Sequence, residues 1–298
     1  MSKIAKGTIL TLVAGIAWGL SGTSGQYLMT HGFPVLVLTN IRLLIAGFLL
    51  VLYMVLTNRR KLIEMIKDRK AIMSLALFAL LGLLLNQFAY LKSIYESNAG
   101  TATVLQYVCP VGILAYTCLK DRVAPTVTEV LSMILAVGGT FLIATHGQFN
   151  QLSVTPTGLF WGLFAAFTYA LYILIPIQLI KMWGSISVIG VGMMLAGIVL
   201  TPFSGISHFH WQLSTEVYLA LVGIILVGTI IAYTLFLKGT SLVGPVKSSL
   251  LAAVEPISAV FFAFLIMHEQ FYFLDFVGMF MILSAVALIS IKDLILEK

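Results

Sequence analysis

Apolar residues run along this chain in long blocks, broken by short polar connections of about a dozen residues at most. Ten such blocks can be marked, at 7–29, 34–57, 71–92, 99–118, 126–145, 158–180, 186–204, 215–237, 244–267 and 273–291. Each is close to the ~20 residues that an α-helix needs to span a bilayer. The pattern therefore predicts an all-α polytopic membrane protein with ten transmembrane helices. An echo divides the pattern in two. Trp18-Gly19-Leu20 recurs as Trp161-Gly162-Leu163, and Lys92 and Lys238 each precede a proline, Pro110 or Pro256, by seventeen intervening residues. Marks repeated in one order at this period read as a duplicated helical unit, which gives two five-helix repeats at 1–147 and 148–298.

Charge orients the pattern. Lys3 and Lys6 precede helix 1, six basic residues from Arg59 to Lys70 fill the connection after helix 2, and Lys120 and Arg122 follow helix 4. Lys181, Lys238, Lys247, Lys292 and Lys298 fall on the same side if ten helices alternate, and Lys92 is the exception. This is the positive-inside bias, and it predicts cytoplasmic N- and C-termini in the plasma membrane. Five helices per half, an odd number, make the second repeat inverted. The net charge of +6 thus reads as a topology signal and not as a nucleic-acid surface.

Composition agrees: 60% of residues are hydrophobic and 9% charged, against roughly 25% charged in soluble domains. The first block is long and punctuated by Gly15, Trp18, Ser21 and Gln26, so it reads as a true span and not as a cleavable signal. Cys109 and Cys118 lie nine residues apart on one helix and do not suggest a disulfide. Phosphate loops, metal-ligand clusters and nucleophile–base arrangements are missing from the sequence, so an enzyme, a metal site or a cofactor has no support.

Candidate chemistry is confined to a few intramembrane positions. An unpaired charge in hydrocarbon costs at least ~2.5–3.5 kcal/mol, so ionisable residues inside spans are functional candidates. Two are well inside: Arg42, roughly 12 Å below the outer end at 1.5 Å per residue, and Glu255, near the midplane. Each is a candidate coupling or counter-charge residue; Arg42 has the alternative of pairing with Asn40 or a headgroup. Asn86, Gln87, Tyr90, Gln106, Tyr107 and Tyr233 are poorly suited to lipid and should face the bundle interior, as substrate ligands or as helix-packing groups. Trp18, Trp161, Thr168 and Tyr172 add a candidate aromatic wall for an organic cation or planar ring, with ordinary packing as the alternative. The candidate substrate-binding set is thus Trp18, Asn86, Gln87, Tyr90, Tyr107, Trp161, Tyr172 and Tyr233. Pro110 and Pro256, at matched positions, are candidate hinges. Glycines 15, 19, 22, 138, 139 and 278 read as helix-packing stripes. The histidines at 31, 146, 208, 210 and 268 all fall in loops on the outer side, where solvation accounts for them, with metal binding or external-pH sensing as the alternative for the His208-x-His210 pair.

Three segments then carry a family resemblance: Gly-Ile-Ala-Trp-Gly at 15–19, Asn-Ile-Arg-Leu-Leu at 40–44, and Glu-Pro-Ile-Ser-Ala-Val at 255–260, followed by Glu269. With the topology, they resemble the drug/metabolite transporter superfamily in its EamA branch across essentially the whole chain. Cys109-Pro110 departs from the pattern, because it leaves Glu255 without an acidic mate in the first half. The resemblance implies an alternating-access carrier in which helices 1, 3, 4, 6, 8 and 9 line a cavity. It also implies a substrate among amino acids, amines, nucleosides or other small metabolites, often moved outward. With a single deep arginine, phosphorylated substrates are disfavoured. The expectation is a secondary transporter of a small polar or zwitterionic metabolite of the amino acid or amine class. Its partners are the substrate, the bilayer and, if Glu255 titrates, protons; export and proton coupling stay open. A non-transporting scaffold and a carrier for nucleosides or sugar phosphates are the alternatives, and a channel is disfavoured by the scarcity of intramembrane charge.

Overall fold

The structure, a computed structural model, describes residues 2–97, 99–145, 155–210, 214–267 and 272–296. These residues are helical wherever they are regular, with one short 3-10 helix at Ile206–His208 and ten α-helices when broken ones are counted once. They are α1 (Lys3–Thr30), α2 (Val35–Lys67), α3 (Arg69–Glu96), α4 (Ala99–Gln106 and Cys109–Asp121), α5 (Val127–Thr145), α6 (Pro156–Trp183), α7 (Ser185–Ser204), α8 (Thr215–Val243), α9 (Pro245–Leu251 and Val254–Met267) and α10 (Phe273–Leu296). Eight are long and apolar enough to cross a membrane, and shorter apolar helices lie at Val127–Ile143 and Phe273–Leu288. This is a multi-pass membrane protein.

Local chemistry sets the ends of these helices. Ser2, Asp68, Thr155 and Ser214 each cap a helix start, their side-chain oxygens accepting from backbone N–H groups of the first turn. The α6–α7 and α8–α9 connections turn at Gly184 (φ 84°) and Gly244 (φ 86°), a backbone region that glycine enters without a Cβ clash. Pro245 then opens α9, where its missing N–H is no loss.

Packing pairs the helices closely through small residues. α2 lies along α7, α5 along α10, α1 against α8 and α9, α6 against α3 and α4, and α4 touches α9. At the α5–α10 contact a methyl group added to Gly139 would fall 2.6 Å from the carbonyl oxygen of Gly278. Gly15 packs on Ala252 and Val254 of α9, and Gly19 on Ser258 and Ala259, so the α1 stripe seats α9. Gly22 is different, since a methyl there would meet only the Tyr90 hydroxyl at 3.3 Å.

Four of the helices that meet in the middle are irregular there. α3 contains a π-helical stretch at Phe78–Leu84 and α8 another at Gly223–Ile231. α4 is interrupted at Tyr107–Val108, two to three residues before Pro110, and α9 at Ala252–Ala253, three to four residues before Pro256. Pro256 has no N–H for the Ala252 carbonyl. That oxygen instead accepts from the Tyr107 hydroxyl and, at 2.9 Å, from the Glu255 N–H.

Candidate functional site and family

Seven helices send side chains into one central cavity. Trp18 and Ser21 come from α1, Arg42 from α2, Asn86, Gln87 and Tyr90 from α3, Gln106 from α4, Tyr169 from α6, Tyr233 from α8 and Glu255 from α9. Asn86 and Tyr90 stand four apart, and Trp18 and Ser21 three apart, so each pair shares a helix face. The cavity measures about 30 Å³, room for a water or two but not for a metabolite. The helices must separate before an organic molecule enters.

Both intramembrane charges face this cavity, and each is nearly sealed from solvent: Arg42 is 3% exposed and Glu255 5%. They do not neutralise each other. Among the described residues the ion pairs are Arg60–Glu64 and Lys92–Glu96, both near helix ends. Arg42 is held by hydroxyls: its Nε donates to Thr229 Oγ1 at 3.1 Å and its Nη2 to Ser21 Oγ at 3.3 Å. Asn40 is no partner to it, because its amide donates instead to the Gly197 carbonyl at 2.8 Å across the α2–α7 contact. Glu255 Oε1 accepts from the Tyr90 hydroxyl at 3.4 Å, and Tyr90 also lies 3.1 Å from Thr103 Oγ1. Several neighbours carry buried polar atoms with no protein partner: Trp18 Nε1, Asn86 Oδ1 and both amide atoms of Gln87. Buried polar groups are normally satisfied by protein or by ordered water, and the cavity beside these atoms is large enough for water.

Behind the cavity stands an aromatic wall. Trp18 meets Tyr169, Tyr172 and Tyr233 edge-on with centroids 5.3–6.3 Å away, and Phe236 at 4.7 Å. Tyr172 stacks on Tyr169 and Phe236 at 5.9 Å. Tyr172 thus belongs to the wall and not to the lining. Tyr107 is buried with its hydroxyl on the Ala252 carbonyl, where it holds the α9 break. Trp161 is half-buried away from the cavity, among Phe88, Phe160 and Phe164, and Thr168 bonds its own helix. Pro110 and Pro256 stand in the first turn after the α4 and α9 breaks.

Of the expected residues the structure therefore brings together Trp18, Asn86, Gln87, Tyr90, Tyr233, Arg42 and Glu255, with Gln106 beside them. Ser21, Tyr169 and Thr229 escaped the sequence reading. Thr229 stands four residues before Tyr233 and Ser21 three after Trp18, so helical spacing from the chosen aromatics held the signal. His31, His208 and His210 are exposed in connections; His146, Trp211, His268, Glu269 and Lys298 lie outside the described residues. Among the described residues no group of three His, Cys, Asp or Glu side chains is gathered as a metal site, and both cysteines are free thiols.

Comparison with known proteins now decides the family. The model of the EamA-like transporter family matches residues 5–145 and again 156–291. The chain belongs to the EamA-like transporter family. It is 36% identical over 294 residues to YicL of Salmonella typhimurium, named as an uncharacterized inner membrane transporter, covering 98% of each chain. It is 24% identical over 298 residues to YetK of Bacillus subtilis, named as an uncharacterized transporter, covering 97% of this chain and 88% of that one. A solved crystal structure superposes with a TM-score of 0.77 over 99% of both chains at 13% identity, a likeness of fold alone. The family resemblance drawn from residues 15–19, 40–44 and 255–260 is thereby shown.

Proposed function

We propose that this EamA-family protein is a secondary active transporter of a small zwitterionic metabolite of the amino acid class, with simple amines as the nearest alternative substrate. The observation that carries the reading is the pair Arg42 and Glu255, buried in one cavity yet not bonded to each other. Isolated charges in a low-dielectric interior are costly unless matched. A ligand with a carboxylate at one end and an ammonium at the other matches both at once. Arg42 takes the carboxylate, because its guanidinium presents a fork of donors suited to it. Glu255 and the Tyr90 hydroxyl take the ammonium, and the Asn86 and Gln87 amides line the same cavity. The Trp18–Tyr169–Tyr233 surface accepts the side chain or the cation face. Glu255 is also the group on which a proton would be exchanged for substrate.

The mechanism in this reading is alternating access by two inverted five-helix halves, 1–147 and 148–298, with both termini cytoplasmic in the plasma membrane. Several observations support it. The helix contacts pair off under a shift of five: α1 with α8 and α9 mirrors α6 with α3 and α4, while α2–α7, α4–α9 and α5–α10 map onto themselves. The breaks in α4 and α9 and the π-helical stretches in α3 and α8 occur at matched positions, as expected of discontinuous helices at a transport site. The name of YicL supports an inner-membrane setting. Rocking about the Pro110 and Pro256 breaks opens the small cavity to one face and then the other.

A thermal-shift screen of the purified protein tests this reading. A ligand at 100 times its dissociation constant stabilises by ~2.7 kcal/mol, so an amino acid should raise the unfolding temperature, and Glu255→Gln should remove the shift. A response to nucleosides or sugar phosphates alone would refute the assigned substrate class.

A further inference from the structure

Helix α2 is longer than a bilayer requires, and its surplus has a composition of its own. Its 33 residues exceed the ~20 that a bilayer needs, but they form two helical stretches joined at a kink and not one straight rod. The backbone kinks at Asn58 (φ −153°, ψ 52°). Residues 35–57 already cover about 34 Å by the helical rise, so residues 59–67 emerge where the hydrocarbon ends.

Seven of those nine residues form three faces; Lys61 is half-buried, and Arg59, four residues before Ile63, lies on the isoleucine side, from which its long side chain reaches toward the headgroups. Leu62 and Met65 are buried against the protein. Ile63 and Ile66, three apart and so on one side, are exposed large hydrophobics. Arg60, Glu64 and Lys67 form the third face, with Arg60 Nε 2.8 Å from Glu64 Oε1. A helix that is protein-facing, lipid-facing and cationic in turn is suited to lie in the plane of a membrane surface. Between 59 and 70 there are six basic residues and two acidic ones, Glu64 and Asp68, and Asp68 is occupied in capping the start of α3. Lys61 reaches across to the α6–α7 turn, its Nζ 3.9 Å from where a Cβ on Gly184 would sit. The exposed Lys181 ends α6 just before that turn. At the opposite end of α2, Phe33 packs on Phe209 at 4.9 Å, and residues 205–210 of that connection carry no Lys or Arg.

We propose that residues 59–67 are an in-plane binding segment for anionic phospholipid headgroups, with Arg59, Arg60 and Lys67 on the phosphates and Ile63 and Ile66 at the headgroup–acyl boundary. Charge complementarity selects the anionic lipid, and the exposed isoleucines call for a ligand that carries acyl chains. Because α2 also carries Arg42, the lipid holds the C-terminal end of the helix on which a cavity residue sits.

The test uses the full chain in nanodiscs of mixed phosphatidylglycerol and phosphatidylcholine, with co-purifying lipid counted by native mass spectrometry. Wild type should retain phosphatidylglycerol in preference. The Arg59→Gln/Arg60→Gln/Lys67→Gln variant should lose that preference by about tenfold to about a hundredfold, since each basic residue near an anionic surface is worth roughly fivefold. Equal retention by variant and wild type overturns the proposal, as does displacement of the lipid by soluble glycerol 3-phosphate, which would mean a plain anion site. The variant's unfolding temperature in pure phosphatidylcholine should match wild type. If it does not, wild type alone decides: its preference must fall when ionic strength is raised about tenfold, and a salt-independent preference also overturns the proposal.

Discussion

Arg42 is surrounded by hydroxyls where a buried arginine would ordinarily have a carboxylate, and that arrangement leaves its charge available to a ligand. Replacing it by Gln should weaken binding of a zwitterion at least about tenfold, since a hydrogen bond to a charged group is worth ~1.5–3 kcal/mol. Binding of the matching decarboxylated amine should change little, which calorimetry on the pair of ligands would show. Tyr107 makes a different prediction. Its hydroxyl holds the carbonyl that Pro256 frees, so Tyr107→Phe should lower stability by ~1–3 kcal/mol, read as a drop in unfolding temperature, without changing which substrates are recognised. The charges were legible in the sequence because each stands alone in an apolar run. The fine sorting of aromatics was not: Trp161 shares a motif with Trp18, yet faces Phe88 and Phe164 and not the cavity. Helical spacing says which residues share a face, but not which neighbour that face meets.

The helices themselves followed from the hydrophobic pattern to within a few residues, except where chemistry beyond apolarity took over. The span expected at 34–57 ends where the backbone leaves helical geometry at Asn58, and residues 59–67 follow as a second helical stretch because Arg, Lys, Leu, Glu and Met are strong helix formers. The π-helical stretches in α3 and α8 left no trace in the apolar count. They end at Leu84, eight residues before Lys92, and at Ile231, seven before Lys238, which puts them just ahead of Gln87 and Tyr233. In α8 the stretch lets Thr229 reach the Ile224 carbonyl at 2.6 Å while receiving Arg42. Such stretches concentrate at functional sites. Restoring N–H donation with Pro256→Ala should stiffen α9, so transport should slow severalfold while ligand-induced thermal shifts persist. Loss of both together would mean that the proline serves folding and not motion.

At the scale of the whole molecule, the proposed alternating access requires the closely packed helix pairs to shift, because the cavity as it stands is too small for a metabolite. The tight α5–α10 contact is a fixed element: Gly139→Leu would drive a side chain into the Gly278 backbone, and should reduce folded yield sharply, as size-exclusion profiles would show. The proposed orientation has its own check. Cysteines placed at Arg59 and at His208 of an otherwise cysteine-free protein should label from opposite faces of sealed vesicles; labelling from one face would break the inverted arrangement.

The central claim is that a zwitterion crosses through the cavity shared by Arg42 and Glu255. Counterflow in proteoliposomes tests it most directly: vesicles loaded with a mixture of unlabelled amino acids, diluted into a labelled amino acid, with wild type and Glu255→Gln in parallel. The account predicts transient, saturable accumulation of label in wild type, abolished in Glu255→Gln, with the decarboxylated amine a much poorer exchanger. Accumulation that persists unchanged in Glu255→Gln would contradict it.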